Sequence, residues 1–187
     1  MDSLAPERVT PMLHGRLGRP YRYLESCPST QRELAHEDAE GAVVATGHQT
    51  AGRGRLGRTW TDEPGTSLLF SLLLLPDVPS ERLPELTVVA AKAVADAVGG
   101  NVKEPNDVLL GGRKVAGVLG EASEGRVVIG IGVNANQTPE QLPPETRLPA
   151  TSIRIEHSAS VDRAELLAAI LERLERRYDV WLSGPGT

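Results

Sequence analysis

Cysteine, histidine and aromatic residues are scarce in this chain of 187 residues. Cys27 is the single cysteine, which excludes both an intrachain disulfide framework and a zinc site built on cysteines. The four histidines, His14, His36, His48 and His157, lack the spacing of metal ligands. Phe, Trp and Tyr together make up 3% of the chain, so the core must be built mainly from Leu, Val, Ile and Ala.

Long apolar segments are absent as well. The longest apolar run, residues 68–75, is interrupted by Ser71 and is far shorter than the roughly 18 residues of a membrane span. The first residues lack the basic segment followed by an apolar run that marks a signal peptide. We therefore expect a cytoplasmic protein.

The chain has no excess of basic residues, since its formal net charge is -5 at pH 7. Proteins that coat nucleic-acid phosphates are usually basic. Positive charge is concentrated instead in residues 47–60, which contain four glycines and the three arginines Arg53, Arg55 and Arg58. A local positive segment on an acidic protein favours a small anionic ligand over a long polyanion.

Hydrophobic periodicity predicts an α+β fold in which helices pack on one face of a sheet. Helical spacing of apolar residues predicts helices over 86–97 and 167–182, and a short helix is expected around 9–17. Residues 137–149 contain four prolines and are predicted to form a loop. Short apolar or alternating runs predict strands over residues 21–25, 42–46, 66–75, 101–103, 108–110, 114–120 and 126–133.

Cap and turn residues predict several element boundaries. Glycines 99–100 are expected to end the first long helix, and glycines 111–112 are expected to form a hairpin turn. Two pairs have the spacing of a capping box at a helix start, Thr30 with Glu33 and Asp162 with Glu165.

The Gly/Arg-rich residues 47–60 support two interpretations on their own. Glycine permits close approach of a ligand, and arginine offers a planar fork of donors to carboxylate or phosphate. The segment therefore suits a loop that wraps an anion, but it equally suits a flexible, solvated basic loop. Residues 52–57 and 130–135 match the dinucleotide patterns G-x-G-x-x-G and G-x-G-x-x-A, yet loop residues follow both where a helix is needed.

Two further segments contain residues suited to a nucleotide site. Residues 103–107 combine a lysine, an amide and a carboxylate, which could bind phosphate, ribose or metal. Asn and Asp beside a proline, however, most often form only a turn. Lys114 begins an apolar strand after the Gly-Gly turn, and by itself it could simply be an exposed lysine at a strand end.

Together these motifs resemble the catalytic domain of biotin protein ligases. The resemblance covers residues 21–182 and implies a mixed, largely antiparallel sheet with helices packed on one face. It implies an enzyme that joins biotin to ATP, forming biotinyl-5′-AMP and pyrophosphate, and then transfers biotin to a lysine of a biotin carboxyl carrier domain. Five blocks carry it in the family's order: Ser29-Thr30, residues 49–60, K-x-P-N-D-V at 103–108, R-K-V-A-G-V-L at 113–119 and G-I-G-V-N at 130–134.

The same resemblance implies roles for individual residues. The catalytic residues would be Arg53, Arg55 and Lys114, and Trp60 would lie against adenine. No metal ligand is assigned, because Mg²⁺ would be carried by ATP. The biotin-binding residues would be Ser29, Thr30, Gln49, Gly52, Arg53, Arg55 and Lys114, aided by the backbone N–H of Gly54. The nucleotide-binding residues would be Arg55, Arg58, Trp60, Lys103, Asn106, Asp107, Gly132 and Asn134.

Some features depart from the family pattern. Glu104 stands where the family usually has Trp, and Gln31 replaces the Asn that often follows Ser-Thr. We expect residues 1–20 to be a lead-in segment and residues 21–187 to be the catalytic domain. The family's small C-terminal β-barrel and an N-terminal DNA-binding domain are not expected in this sequence, which argues against a repressor role.

Other functions are also compatible with these motifs. A lipoate–protein ligase shares the architecture and the adenylation chemistry, and a degenerate homologue could bind biotin or nucleotide without transfer. A non-catalytic RNA-binding module is disfavoured by the net charge of -5 and the few aromatics available to stack bases. The resemblance predicts no nucleic-acid or membrane partner and is compatible with a homodimer.

Overall fold

The strands form one mixed sheet in the computed structural model, which describes residues 3–144 and 148–184. The strands are β1 (Tyr21–Leu24), β2 (Val43–Thr46), β3 (Ser67–Leu74), β4 (Asn101–Lys103), β5 (Asp107–Leu110), β6 (Arg113–Ser123) and β7 (Arg126–Asn134). They lie in the order β1-β2-β3-β7-β6-β5-β4. β1 and β2 are parallel, and the other neighbouring pairs are antiparallel.

The helices cover one face of this sheet. They are α1 (Pro6–Val9), α2 (Glu85–Val98), α3 (Ile153–His157) and α4 (Arg163–Ser183). α2 and α4 pack against each other and against the strands, and their apolar sides join the main core. None of the helices in the described ranges is long and apolar enough to cross a membrane.

Alternation along the strands separates the core from the opposite sheet face. On β3, Leu68, Phe70, Leu72 and Leu74 belong to the main core, whereas Ser71 lies on the other face and pairs in register with Gly130. On β7, residues 129, 131 and 133 are core residues, so residues 130, 132 and 134 point away from the helices. Because residues 130 and 132 are glycines, no side chain rises from the sheet at these two outward positions, which leaves room above them.

Most predicted elements are confirmed, including the α+β class. Gly99 ends α2 with φ +70°, and residues 111 and 112 have φ of +57° and +77°, as a tight hairpin turn requires. Asp162 caps α4, because its carboxylate accepts from the backbone N–H groups of Ala164 and Glu165 at 3.0 and 3.2 Å. The apolar stripe of α4 ends earlier than predicted, since Leu182 is 38% exposed.

Several local predictions are wrong. The helix expected around 9–17 lies earlier: α1 begins at Pro6, where proline suits a helix start, and a 3₁₀ turn continues it over Thr10–Met12. The capping box at Thr30 and Glu33 does not form; Thr30–Glu33 is a 3₁₀ turn without a side-chain cap. The helix α3 was not predicted. Of the predicted loop 137–149, residues 145–147 lie outside the described residues, as do residues 185–187 of the predicted catalytic domain.

Candidate active site

A cavity of about 540 Å³ lies on the sheet face opposite the helices. Its floor is formed by the outward side of β6 and β7. Its walls come from the 3₁₀ turn at 30–33, from residues 104–107 at the start of β5, and from a hairpin of residues 52–60 that we call the Gly/Arg hairpin. These segments are far apart in sequence, and the strand order of the sheet brings them together.

Backbone hydrogen bonds shape the Gly/Arg hairpin. The N–H of Trp60 donates to the carbonyl of Gly52 at 3.0 Å, and the N–H of Gly54 donates to the carbonyl of Arg58 at 2.7 Å. A Cβ at residue 52 would lie 2.4 Å from the Trp60 carbonyl oxygen, so glycine is needed there for close approach. The tip is solvated: Leu56 is 85% exposed and has φ +58°. The segment is therefore an ordered hairpin with an exposed tip.

A His–Asp contact holds the base of this hairpin. Nδ1 of His48 lies 2.9 Å from Oδ2 of Asp62, whose side chain is fully buried. The N–H of Gln49 also points to the Asp62 carboxylate at 3.4 Å. Sequence reasoning missed Asp62, because a single carboxylate in a polar stretch carries no signal of its partner.

Polar side chains meet at one end of the cavity. The backbone N–H of Thr30 donates to Oε1 of Gln49 at 2.8 Å, and the Thr30 hydroxyl lies 2.7 Å from that of Ser71. Ser29 and Thr30 are only 2% and 3% exposed. Since Oε1 of Gln49 accepts from Thr30, its amide nitrogen is left to donate elsewhere. This end suits a small polar ring that can both donate and accept hydrogen bonds.

The Trp60 ring lies flat against glycines of the sheet. A Cβ at Gly132 would be 2.7 Å from a ring atom of Trp60, and a Cβ at Gly117 would be 3.1 Å from another. These two glycines are paired in register on β6 and β7. Any larger side chain at either position would lift the ring, so the glycines set the height of this aromatic wall.

Cationic side chains lie at the middle of the cavity and along its rim. Nζ of Lys114 is 2.6 Å from the Asp107 carboxylate and 5.8 Å from the centre of the Trp60 ring. Arg55 donates to Oδ1 of Asn106 at 3.3 Å, and the amide of Asn106 donates to the carbonyl of Val118 at 3.1 Å. These contacts tie the hairpin tip to the β5–β6 region.

Arg53 has a different neighbour from the one expected. Its guanidinium forms a two-pronged ion pair with Glu121 of β6, with one N–O distance of 3.1 Å, and both side chains are about 40% exposed. Arg53 thus holds the hairpin to the sheet in this structure.

Thirteen predicted site residues line the cavity: Ser29, Thr30, Gln49, Arg53, Gly54, Arg55, Arg58, Trp60, Asn106, Asp107, Lys114, Gly132 and Asn134. Gly52 and Lys103 do not line it; Gly52 is buried within the hairpin, and Lys103 is exposed on β4. Glu104 is exposed at the rim. The sequence analysis did not predict that Gln31, Gly117 and Gly130 line the cavity. Glycines at alternate positions of a strand were the signal that could have indicated the cavity floor.

A sequence model of the biotin/lipoate A/B protein ligase family matches residues 23–136, which is more than half of the chain. The chain belongs to this family. Its resemblance to biotin protein ligase catalytic domains is confirmed by relatives and by solved structures.

The family members it matches include proteins of known name. The chain is 41% identical to the bifunctional ligase/repressor BirA of Bacillus subtilis over 83% of this chain and 51% of that protein. It is 36% identical to the biotin--[acetyl-CoA-carboxylase] ligase of Mycobacterium tuberculosis over 80% of this chain and 59% of that protein. The chain therefore spans about half the length of these relatives.

Solved family structures share the fold. The biotin protein ligase of Aquifex aeolicus, solved in complex with biotin and ATP, superposes with a TM-score of 0.76 and 33% identity, covering 85% of this chain and 70% of that one. The ligase of Leishmania major, solved with biotinyl-5-AMP, gives a TM-score of 0.62 at 27% identity, covering 86% of this chain and 76% of that one.

Proposed function

We propose that this chain is an ATP-dependent biotin–protein ligase. It activates biotin to biotinyl-5′-AMP and transfers the biotinyl group to a lysine of a biotin carboxyl carrier domain. One observation carries the proposal: a single cavity joins a polar end at Thr30 and Gln49, a cationic centre at Lys114 and an aromatic wall at Trp60. The names of the family relatives support the same substrate.

Each part of the cavity suits one part of the two substrates. The fused ring of biotin carries a ureido group, which matches the donors and acceptors of Ser29, Thr30 and Gln49. The valeryl chain would run along the glycine floor, which brings its carboxylate towards Lys114 and Arg55. The adenine would occupy the region of Trp60, Gly132 and Asn134.

In the first step, an oxygen of the biotin carboxylate attacks the α-phosphorus of ATP, and the bond to the leaving pyrophosphate breaks. Both reactants are anions, and two unit charges about 4 Å apart interact by about 4 kcal/mol at an effective dielectric of 20. Lys114 and Arg55 offset this repulsion and stabilise the charge that builds on the phosphoryl oxygens. Holding both substrates in line contributes much of the remaining rate gain.

Mg²⁺ belongs to the proposal as a companion of ATP. Two carboxylates line the described part of the cavity: that of Asp107 lies beside Lys114 and would hold the ion, whereas that of Glu104 is exposed at the rim and is given no such role. One or two carboxylates together with substrate phosphates are a common set of ligands for Mg²⁺, so the residues present suit the ion. When bound, the ion would neutralise phosphate charge. Lys114, already 2.6 Å from Asp107, would share that carboxylate with it.

In the second step, the ε-amine of the carrier lysine attacks the acyl carbon of the adenylate. A C–N bond forms, AMP leaves with the electrons of the C–O bond, and the amine gives up a proton. The nucleophile belongs to the partner, so this domain needs no catalytic Cys or Ser of its own. The exposed tip of the Gly/Arg hairpin lies where it could cover the adenylate and limit its hydrolysis.

Calorimetry with biotin and with lipoate, each with and without ATP, tests the substrate. We expect biotin binding that tightens with ATP; tight lipoate binding without a biotin response would instead favour a lipoate ligase. Pyrophosphate release with biotin, ATP and Mg²⁺ then separates a ligase from a degenerate binder. The homodimer and the cytoplasmic location remain predictions.

A further inference from the structure

A network of buried polar side chains lies behind the nucleotide end of the cavity. Asn134, which lines the cavity, is 6% exposed, and Gln137 and Ser67 are 1% and 0% exposed. The Gln137 amide nitrogen donates to the Ser67 hydroxyl at 2.6 Å and to Oδ1 of Asn134 at 3.3 Å. The amide nitrogen of Asn134 donates to the backbone carbonyl of Thr151 at 2.9 Å. Both the nitrogen and the oxygen of the Asn134 amide therefore have a hydrogen-bond partner that does not line the cavity.

Two contacts favour one orientation of the Asn134 amide, one at its nitrogen and one at its oxygen. The Thr151 carbonyl can only accept, so Asn134 must turn its nitrogen towards it and its oxygen towards Gln137. Gln137 must then present its own nitrogen to that oxygen. The Gln137 oxygen is left buried without a hydrogen-bond partner among the described residues. Burying an unpaired carbonyl costs free energy. If Gln137 served only to fill space, an apolar side chain of the same shape would give a more stable protein.

We propose that Gln137 is a positioning residue that sets the choice of purine at the nucleotide site. The inference rests on the proposed function, in which Asn134 contacts the base of ATP. Gln137 acts through Asn134: together with the Thr151 carbonyl, it holds the donor and the acceptor of that amide in one order. A reversed amide would present the opposite order to the base.

The hydrogen-bonding capacity left on Asn134 matches adenine. Its nitrogen has a second hydrogen and its oxygen a second lone pair, since one of each is used by Thr151 and Gln137. An amide that donates and accepts side by side pairs with N7 and the 6-amino group of adenine. Guanine carries acceptors at both N7 and O6, so its O6 would face the Asn134 oxygen. The fixed amide therefore accepts ATP and disfavours GTP.

Substitutions at Gln137 and Ser67 test this inference. Gln137→Met keeps the shape but removes the donor to the Asn134 oxygen, so only the Thr151 carbonyl still orients the amide and the reversed orientation becomes less costly. We expect the ratio of kcat/KM for ATP to that for GTP, measured by pyrophosphate release with biotin, to fall by about tenfold. Ser67→Ala removes the other anchor of Gln137 and keeps a small side chain on the strand, so we expect a smaller fall in the ratio, of about threefold.

Two further measurements separate positioning from simple loss of structure. Asn136→Ala is a matched control, because Asn136 also holds backbone groups, those of Val161, through two hydrogen bonds of 2.9 and 2.8 Å, but does not line the cavity. It should lower the melting temperature without changing the ATP-to-GTP ratio. The biotin dissociation constant of all variants should stay within about twofold of the parent protein, because Thr30 and Gln49 are unchanged.

The outcomes distinguish this inference from the proposed function. If the parent protein releases no pyrophosphate from ATP and biotin, the proposed function fails. If the parent is active and the ATP-to-GTP ratio of folded Gln137→Met and Ser67→Ala proteins is unchanged, only the positioning role is overturned. If Asn136→Ala lowers the ATP-to-GTP ratio as much as Gln137→Met does, the positioning role is also overturned, because the change would then result from lost stability.

Discussion

The ammonium of Lys114 lies 2.6 Å from the carboxylate of Asp107, across the hairpin formed by β5 and β6. Lys114 is 28% exposed at its side chain, and the Asp107 side chain is 10% exposed. The pair keeps a cation at the centre of the cavity and beside the face of Trp60. The register of its neighbours thus places this lysine, near a strand end, in the lining of the cavity.

Replacing Lys114 by alanine should remove most of the ligase activity. A cation aimed at the reacting phosphate is lost, and pyrophosphate release should fall on the order of a hundredfold. Arg113 is the matched control: it is the adjacent basic residue, pairs with Glu156 at 2.7 Å and does not line the cavity. Arg113→Ala should retain activity, and equal losses in the two variants would contradict the role of Lys114.

Arg55→Ala should weaken the binding of both ATP and biotin. The side chain carries a charge at the hairpin tip and anchors that tip to Asn106 at 3.3 Å. We expect the KM for ATP and the dissociation constant for biotin to rise, with kcat/KM lower by about tenfold or more. Steady-state kinetics with each substrate varied in turn measures this, and unchanged values for both would refute it.

Adding a methyl group beneath Trp60 should impair the nucleotide side of the cavity. In Gly132→Ala the new Cβ would meet the ring at 2.7 Å, so the ring must move. In Gly117→Ala the contact would be 3.1 Å, and a smaller shift is enough. The KM for ATP should therefore rise more for Gly132→Ala than for Gly117→Ala. The opposite order would show that the Trp60 ring does not pack more closely on Gly132 than on Gly117.

Glu104→Gln should tighten ATP binding modestly. The carboxylate is exposed at the rim, so removing its charge lessens repulsion of the phosphates without leaving a buried gap. The expected gain is about two- to threefold at low salt, and it should shrink at high ionic strength because exposed charges are screened. Glu104→Trp restores the residue that the family usually has. If ATP binds more tightly to Glu104→Trp but not to Glu104→Gln, contact with the ring contributes more to ATP binding than removal of the charge does.

Asp162→Ala should destabilise the protein by about 1 kcal/mol, because the N-terminal cap of α4 is lost. Burial acts to raise the pKa of the Asp162 carboxyl, but the N–H groups of Glu165 and Ala164 and the Arg8 guanidinium outweigh it, so the pKa is lowered. A lowered carboxyl pKa adds stability above the unfolded-state pKa and loses it as the pH falls.

The pH dependence of that prediction has its own control. Asp162→Asn keeps a capping oxygen but no charge. The parent protein should be more stable than this variant near pH 7, and the difference should shrink as the pH falls below about 4, where aspartate titrates. Urea unfolding at several pH values measures it. A difference that grows towards low pH would contradict the sign of the shift.

The regular elements could be predicted from local pattern, because alternation and helical spacing reflect burial of one side of each element. Thr30 shows the limit of such reasoning. Its spacing from Glu33 predicted a helix cap, but its backbone N–H is held by Gln49 and its hydroxyl lies beside that of Ser71. Long-range partners replaced the local ones, and no sequence window contains both.

The family, the α+β class and the motif residues of the site were determined by the sequence itself, since they depend on residue type and spacing. The tertiary structure alone decided how those residues are used. It turned Arg53 towards Glu121, laid Trp60 on Gly132, and fixed the Asn134 amide between Thr151 and Gln137. The physical reason is that strand register and packing select one partner for each polar group among many that composition would allow.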